Sequence, residues 1–437
     1  MTARGAVKVA FAGMSHLGLV SAAALASRGA TVVGFDPDAA LVDAISRGTL
    51  PVVEPGLAET LAGSQRPTFS ARATDLESCD VVFLALDVAT DDAGHSDLAP
   101  LTALIDAVWP HLRANATAVV LSQVPPGFTR ALARTRMQQS PRPAALYCQV
   151  ETLIFGRAVE RAMQPERYMV GCADPIQPLP GPYAQVLEMF GCPILRMRYE
   201  SAELAKISIN FFLVSSVSTT NMLAEVCERT GADWSEIAPA LRLDARIGPK
   251  AYLDPGLGFG GGNLGRDLAT IKRMSAEVGT DTRIIDAWRT NSSYRRDWAL
   301  RLLRSDVFEQ TPDASLAVWG LAYKQHTAST KNSPSVALLD AMAGRAVVAY
   351  DPAAELPDRL RGRVTIARDP LAACEDADVL LVMTPWPDFR EVPLDRVAAA
   401  MRGRTLIDPN GTLDANRAAA LGFTHHRLGA SSLNSTC

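Results

Sequence analysis

Apolar residues fall into short unbroken runs, separated by longer stretches in which they recur every three or four positions. Val7 to Ala12, Thr31 to Phe35, Val81 to Leu86 and Ala118 to Ser122 are such runs, rich in strand formers. Unbroken rather than alternating polarity predicts strands buried on both faces. Leu17 to Arg28, alanine-rich and helical in spacing, follows the first run. Strands alternating with helices predict a parallel, doubly wound α/β sheet. The final third restarts the alternation at Leu316 to Trp319, Ala346 to Tyr350, Val379 to Met383 and Thr405 to Ile407. This predicts a second domain of the same architecture, with no short-period sequence repeat.

Between the two lies a different pattern. Ser201 to about Thr230 contains no proline or glycine, and Leu204, Ile207, Phe211, Val214, Val217 and Met222 recur at helical spacing. The spacing predicts a helix of about 30 residues, about 45 Å long, that links domains and carries a dimer contact. Glu203, Lys206, Asn210 and Glu225 within it argue against a membrane span.

Composition adjusts this picture in a few places. At 437 residues, and with domains of roughly 150 residues, three domains are expected. Hydrophobic residues at 48% and charged residues at 21% exclude global disorder. A net charge of -4 leaves no basic excess for a nucleic-acid polymer, though a small anionic ligand needs only a local site. The seven cysteines (79, 148, 172, 192, 227, 374 and 437) form no CxxC pair and no metal-like spacing with the six histidines. They read as buried or incidental thiols of a reducing compartment, and no metal is expected. Arg4 and Lys8 precede an apolar run, but His16 and a glycine-bearing loop interrupt it, so a signal peptide is not expected. No uninterrupted apolar stretch reaches about 18 residues, and the cytoplasm is the default.

The first strand-to-helix turn carries candidate chemistry. Gly13, Ser15 and Gly18 occupy the three small-residue positions of a dinucleotide-binding turn, and Asp36 ends the next strand. The first small residue allows the tight turn, the second lets the backbone approach a pyrophosphate, and the third lets helix pack on strand. Asp36 would accept hydrogen bonds from ribose hydroxyls and repel a 2′-phosphate, favouring NAD over NADP. The plainer alternative is an ordinary strand-to-helix turn with Asp36 as a cap before Pro37.

Further motifs follow in order: VEPGL at Val53 to Leu57, VPPGFT at Val124 to Thr129, PERYMVG at Pro165 to Gly171 and DARIGPKAYLDPGLGFGG at Asp244 to Gly261. GLAYK (320–324), SP (333–334), YDP (350–352) and TPWPDFR (384–390) complete the series. In this order and spacing the chain resembles the UDP-glucose/GDP-mannose dehydrogenase family over essentially its whole length. The resemblance implies two Rossmann-like doubly wound domains joined by a long central helix and a helical dimerisation region. The expected boundaries are 1–195 for NAD binding, 196–300 for the central region and 301–437 for the sugar nucleotide, in a homodimer. The family's usual reaction oxidises a primary alcohol to a carboxylate with two NAD, through a thiohemiacetal and a thioester on a cysteine.

Residue by residue, the resemblance places Lys206 and Asn210, one helical turn apart, at the catalytic lysine and asparagine. Asp267 stands at the aspartate that works with the lysine, and Glu151 at the glutamate of thioester hydrolysis. Ser122 is assigned to the cofactor site, and Lys324 to either cofactor or substrate. Arg246, Tyr252, Phe259, Gly260 and Gly261 are assigned to the sugar nucleotide. Each has a bland counterpart: a solvated helix stripe for Lys206 and Asn210, a capping carboxylate for Asp267 or Glu151, a flexible surface loop for GFGGG.

The chain also leaves the family pattern. GGSCxPKD becomes GGGNLGRD at Gly260 to Asp267, with Asn263 at the cysteine and Arg266 at the lysine. An amide is not a nucleophile at neutral pH. Gln123 replaces a water-positioning threonine, Ala328 and Lys331 replace an acidic residue and an arginine, and DPNG (408–411) lacks the family arginine. The losses include the cysteine of covalent trapping and the threonine of hydrolysis, while the groups assigned to NAD binding and oxyanion stabilisation remain. The expectation is a single oxidation of a nucleotide-sugar alcohol by NAD. A redox-neutral epimerase, full oxidation through an aldehyde hydrate, and a catalytically silent binding subunit remain open.

Overall fold

The computed structural model describes residues 7–63, 65–89, 91, 95–139 and 145–431. Arg4 and Cys437 lie outside the described residues. Contacts divide the chain into two compact units, Met1–Ile209 and Asn210–Cys437.

The first unit is built on an eight-stranded sheet: β1 (Lys8–Ala12), β2 (Thr31–Phe35), β3 (Thr68–Ser70), β4 (Val81–Leu84), β5 (Thr117–Val120), β6 (Ala145–Val150), β7 (Tyr168–Cys172) and β8 (Ile194–Arg198). Its order is β3-β2-β1-β4-β5-β6-β7-β8, and every pair is parallel except β6 with β7. The run through Val81 stops as strand at Leu84, two residues before the apolar pattern does, and the chain turns from Ala85. Two apolar layers sandwich the sheet. Phe11, Leu19, Leu25 and Phe83 fill one side, while Phe35, Leu84, Leu104 and Val120 fill the other.

The second unit carries a six-stranded, wholly parallel sheet: β9 (Leu316–Trp319), β10 (Val347–Tyr350), β11 (Thr365–Ile366), β12 (Val379–Val382), β13 (Thr405–Ile407) and β14 (Thr424–His426). Its order is β11-β10-β9-β12-β13-β14. Both sheets therefore reverse direction beside their first strand, between β1 and β4 and between β9 and β12. In open parallel sheets ligands bind outside the carboxyl ends of the strands at that reversal. The fold is α/β with two Rossmann-like sheets and a long central helix.

The central helix runs from Tyr199 to Thr230, 32 residues without a break, or about 48 Å at 1.5 Å per residue. By length and composition it reaches the threshold for crossing a membrane, with a best 18-residue window of mean hydropathy 1.3. That exceeds what a search for uninterrupted apolar runs registers, because serines and threonines dilute the run without adding charge. Its polar groups are engaged inside the protein: Glu203 accepts from the Gly127 (2.6 Å) and Thr129 (2.9 Å) backbone N–H groups. Glu228 accepts from the fully buried Arg295 at 2.7 Å.

Candidate active site

In the first unit, the turn after β1 is fixed by backbone geometry. Gly13 has φ +97°, a conformation glycine adopts without strain. A Cβ on Gly18 would lie 1.9 Å from the Gly13 carbonyl oxygen. Only glycine lets the helix His16–Ser27 start so close to the strand it follows. The Met14 N–H donates to Asp36 Oδ2 (2.8 Å) and the Asp38 N–H to Asp36 Oδ1 (3.0 Å). Asp36, the residue after β2, thus holds the turn. Each carboxylate oxygen retains a second acceptor position, so contact with ribose hydroxyls is still open to it.

Ser15 is more than a tolerated small residue. Its hydroxyl donates to Ala85 O (3.3 Å) and accepts from the Asp87 N–H (2.9 Å), tying the first turn to the one after β4. Asp87 then reaches back, its Oδ2 accepting from the Leu17 N–H at 3.1 Å. Neither bond was foreseen, since one acid after an apolar run carries no periodic signal. Ser122 is buried and spends its proton on Leu86 O at 2.6 Å, which braces the same turn.

A pocket in this unit is lined by Ser122, Gln123, Cys148, Gln149, Glu151, Glu203 and Lys206. Lys206 Nζ donates to the Glu151 carbonyl oxygen at 2.8 Å, so it is not a freely solvated stripe residue. The Glu151 carboxylate accepts from Gln149 Nε2 (2.7 Å), and Gln149 Oε1 accepts from the buried Tyr183 hydroxyl (2.9 Å). Glu151 as a residue is half-buried, yet desolvation of its carboxyl outweighs the Gln149 hydrogen bond and the Lys206 charge and pushes it up to about 7. A carboxyl titrating near neutrality can take or give a proton at working pH. Cys148, although it lines this pocket, is pushed far above the ordinary thiol range by burial and is not a thiolate.

In the second unit, Asn210 Nδ2 donates to Asp267 Oδ2, and Asp267 Oδ1 accepts from Arg266 Nε at 3.1 Å. Asp267 and Arg266 are both buried, so this is an internal charge pair and not a surface cap. Asn263 is exposed and is the first residue of the helix Asn263–Val278. The GFGGG loop before it is packed, not flexible. The Phe259 N–H donates to Ser292 Oγ (2.9 Å), the Gly261 N–H to Lys331 O (3.0 Å), and Asn332 Nδ2 donates to Gly261 O (2.7 Å). A Cβ on Gly261 would come within 2.9 Å of the Tyr323 ring, and Gly260 borders the same ring. Lys324 Nζ lies 5.7 Å from the Tyr323 ring centroid.

Arg246 and Tyr252 do not join this cluster in a single chain. Arg246 is exposed and pairs with Asp244 at 2.7 Å, and Tyr252 is 52% exposed. Sequence reasoning missed Asp87, Glu203, Gln149 and the buried pair His16–Glu54 (2.9 Å), in which Glu54 also accepts from the Gly156 and Ala158 N–H groups. Each makes at least one contact with a residue far from it in the chain. Among the described residues no cluster of three or more metal-binding side chains occurs.

Comparison with known proteins follows this layout. Residues 7–180 match the NAD binding domain of the UDP-glucose/GDP-mannose dehydrogenase family, residues 200–293 its central domain, and residues 317–415 its UDP binding domain. The chain is 29% identical over 441 residues to the UDP-glucose 6-dehydrogenase TuaD of Bacillus subtilis, covering 98% of this chain and 94% of that one. It is 29% identical over 443 residues to a UDP-glucose 6-dehydrogenase of Pseudomonas aeruginosa, covering 95% and 96%. Among solved structures, a UDP-glucose dehydrogenase from Pyrobaculum islandicum superimposes with a TM-score of 0.81 at 27% identity, covering 94% of this chain and 96% of that one. A UDP-D-ManNAc dehydrogenase from Pyrococcus horikoshii gives 0.81 at 23% identity, covering 97% and 99%, a likeness of fold alone.

Proposed function

The chain belongs to the UDP-glucose/GDP-mannose dehydrogenase family and is an NAD-dependent nucleotide-sugar dehydrogenase, and from that premise we propose that it performs one two-electron oxidation of an alcohol carbon, ending at an aldehyde or ketone. The observation that carries the proposal is Asn263, an exposed amide at the head of its helix where the family resemblance places the trapping cysteine. Every cysteine among the described residues lies outside 255–267, and all but the half-buried Cys192 are buried. Cys148, in the pocket beside Lys206, stays a neutral thiol and is no substitute.

The turn from Gly13 to Gly18 fits a dinucleotide, because a side chain at Gly18 would fill the space that lets helix and strand meet. Gly13, Ser15, Gly18, Asp36 and Ser122 would hold the cofactor, which supplies the hydride acceptor. Lys206, oriented by the Glu151 carbonyl, stabilises negative charge on the reacting oxygen. The Glu151 carboxyl, titrating near 7, receives the hydroxyl proton as hydride leaves the carbon. Asn210 and Arg266 hold Asp267 in place, the aspartate that the family resemblance assigns to catalysis. Phe259, Gly260, Gly261 and Lys324 take the sugar nucleotide, with Arg246 and Tyr252 contributing to it from an exposed position. We assign 1–195 to NAD binding, 196–300 to homodimer formation and 301–437 to the sugar nucleotide, in a cytoplasmic enzyme. The exposed Phe212, Met222 and Val226 on the central helix support the dimer.

The test is the mass of the product formed from NAD and a panel of nucleotide sugars. A product lighter by two hydrogens supports the proposal, and an acid overturns it. An unchanged mass with an inverted stereocentre identifies an epimerase; ligand binding without turnover identifies a silent subunit.

A further inference from the structure

The first turn of the helix His16–Ser27 has free N–H groups and the positive end of the helix dipole, which is where a glycine-rich turn receives a dinucleotide's diphosphate. In this chain that position already has an anion. Asp87 Oδ2 accepts from the Leu17 N–H at 3.1 Å, at the second position of the helix. The Asp87 backbone is itself fixed, because its N–H donates to Ser15 Oγ at 2.9 Å while Ser15 Oγ donates to Ala85 O. A glycine at position 15 would make neither bond. Ser122, through Leu86 O, steadies the same turn from the adjoining strand. The Asp87 side chain is exposed, so it can swing away without leaving a buried charge behind.

We propose that Asp87 is an internal competitor for the diphosphate seat, positioned by Ser15 and displaced each time the dinucleotide binds. Two anions cannot share one helix N-terminus without repulsion, so occupancy by the cofactor requires the carboxylate to move. The effect is to weaken cofactor binding and shorten its residence. That suits a dehydrogenase that releases reduced cofactor after one hydride transfer, and it works against an epimerase that must retain it for the return. The inference rests on the assignment of the turn 13–18 as the cofactor's seat.

The experiment compares the full-length protein with Asp87→Asn and Asp87→Ala by calorimetric titration with NAD, ADP-ribose and adenosine. Asp87→Asn keeps a side-chain acceptor for the Leu17 N–H, so loss of charge is separated from loss of structure, and equal melting temperatures confirm it. Both variants should bind NAD and ADP-ribose about ten-fold more tightly or better, with adenosine unchanged and slower release of NADH. Unchanged or weaker NAD binding in both variants overturns the proposal. Hydrogen exchange separates the two ways of failing. If NAD protects the amides of residues 13–20 while the affinities coincide, only the role of Asp87 falls; if NAD leaves those amides unprotected, the seat itself is misassigned.

Discussion

The two Rossmann-like halves make their first turn with the same atoms. The Gly13 N–H donates to Phe35 O and the Gly320 N–H to Tyr350 O, both at 2.8 Å, and the two glycines have φ of +97° and +95°. Asp36 accepts from the Met14 and Asp38 N–H groups; Asp351 accepts from the Leu321 (2.6 Å) and Ala353 (2.8 Å) N–H groups. GFDP in one half answers AYDP in the other. The halves part company immediately afterwards. In the first, the helix begins at His16 with Gly18 pressed on Gly13; in the second, the chain runs through Tyr323, Lys324 and Lys331 before its helix begins at Pro334. Ser335 Oγ closes that longer turn on Gly320 O at 2.6 Å. The aspartate after the second strand is therefore scaffold in both halves. What distinguishes a dinucleotide seat is the short turn that brings a helix N-terminus to the strand end.

The comparison can be broken at its strongest point first. Gly18→Val places side-chain atoms on the Gly13 carbonyl, and we expect loss of detectable NAD binding in titration, with the first unit destabilised. The next effect tests the charge-stabilising role proposed for Lys206, which lies in the first unit. Lys206→Ala should lower kcat by about 10²–10³ with little change in NAD affinity, as removal of one charge-stabilising donor does elsewhere; an unchanged kcat would remove Lys206 from the site. A smaller effect tests the shared scaffold. Asp36→Asn and Asp351→Asn should each cost about 1.5–3 kcal/mol in denaturant unfolding, the range for hydrogen bonds to a charged group. Only Asp36→Asn should also weaken NAD and relax discrimination against NADP; equal effects of both on NAD would erase the distinction between the halves.

The smallest expected effect is on pH dependence. Glu151 binds its proton more tightly in the folded protein than at its ordinary value of 4.5, titrating near 7. Native stability attributable to it is therefore present below about pH 4.5 and is lost as pH rises towards 7. Glu151→Gln should flatten that decline in thermal melts, and should remove the limb near pH 7 from the rate profile. A decline of the same size in the variant would assign it to another group.

The strands legible from sequence are the ones buried on both faces. Thr31–Phe35, Leu316–Trp319 and Thr405–Ile407 match their apolar runs end to end. β8 escapes that pattern because Ile194–Arg198 sits at the sheet edge with two arginines and an exposed Leu195. β7 escapes as a strand because PERYMVG reads first as a motif, and it is also the one antiparallel neighbour of β6. In the candidate site, Gly13, Gly18, Asp36 and Asp267 were legible because their chemistry attaches to fixed motif positions. The Ser15–Asp87 link and the hold of Glu203 on residues 127 and 129 were not, since each joins residues more than 70 positions apart by a single hydrogen bond.

The central claim is a reaction that stops after one hydride transfer, and the electron count tests it most directly. With limiting nucleotide sugar, excess NAD and a carbonyl trap to draw the reaction to completion, NADH absorbance gives the number of hydrides removed per sugar. The account predicts one. Two NADH per sugar, with a carboxylate as product, would contradict it and show that the site completes the acid without a cysteine at position 263.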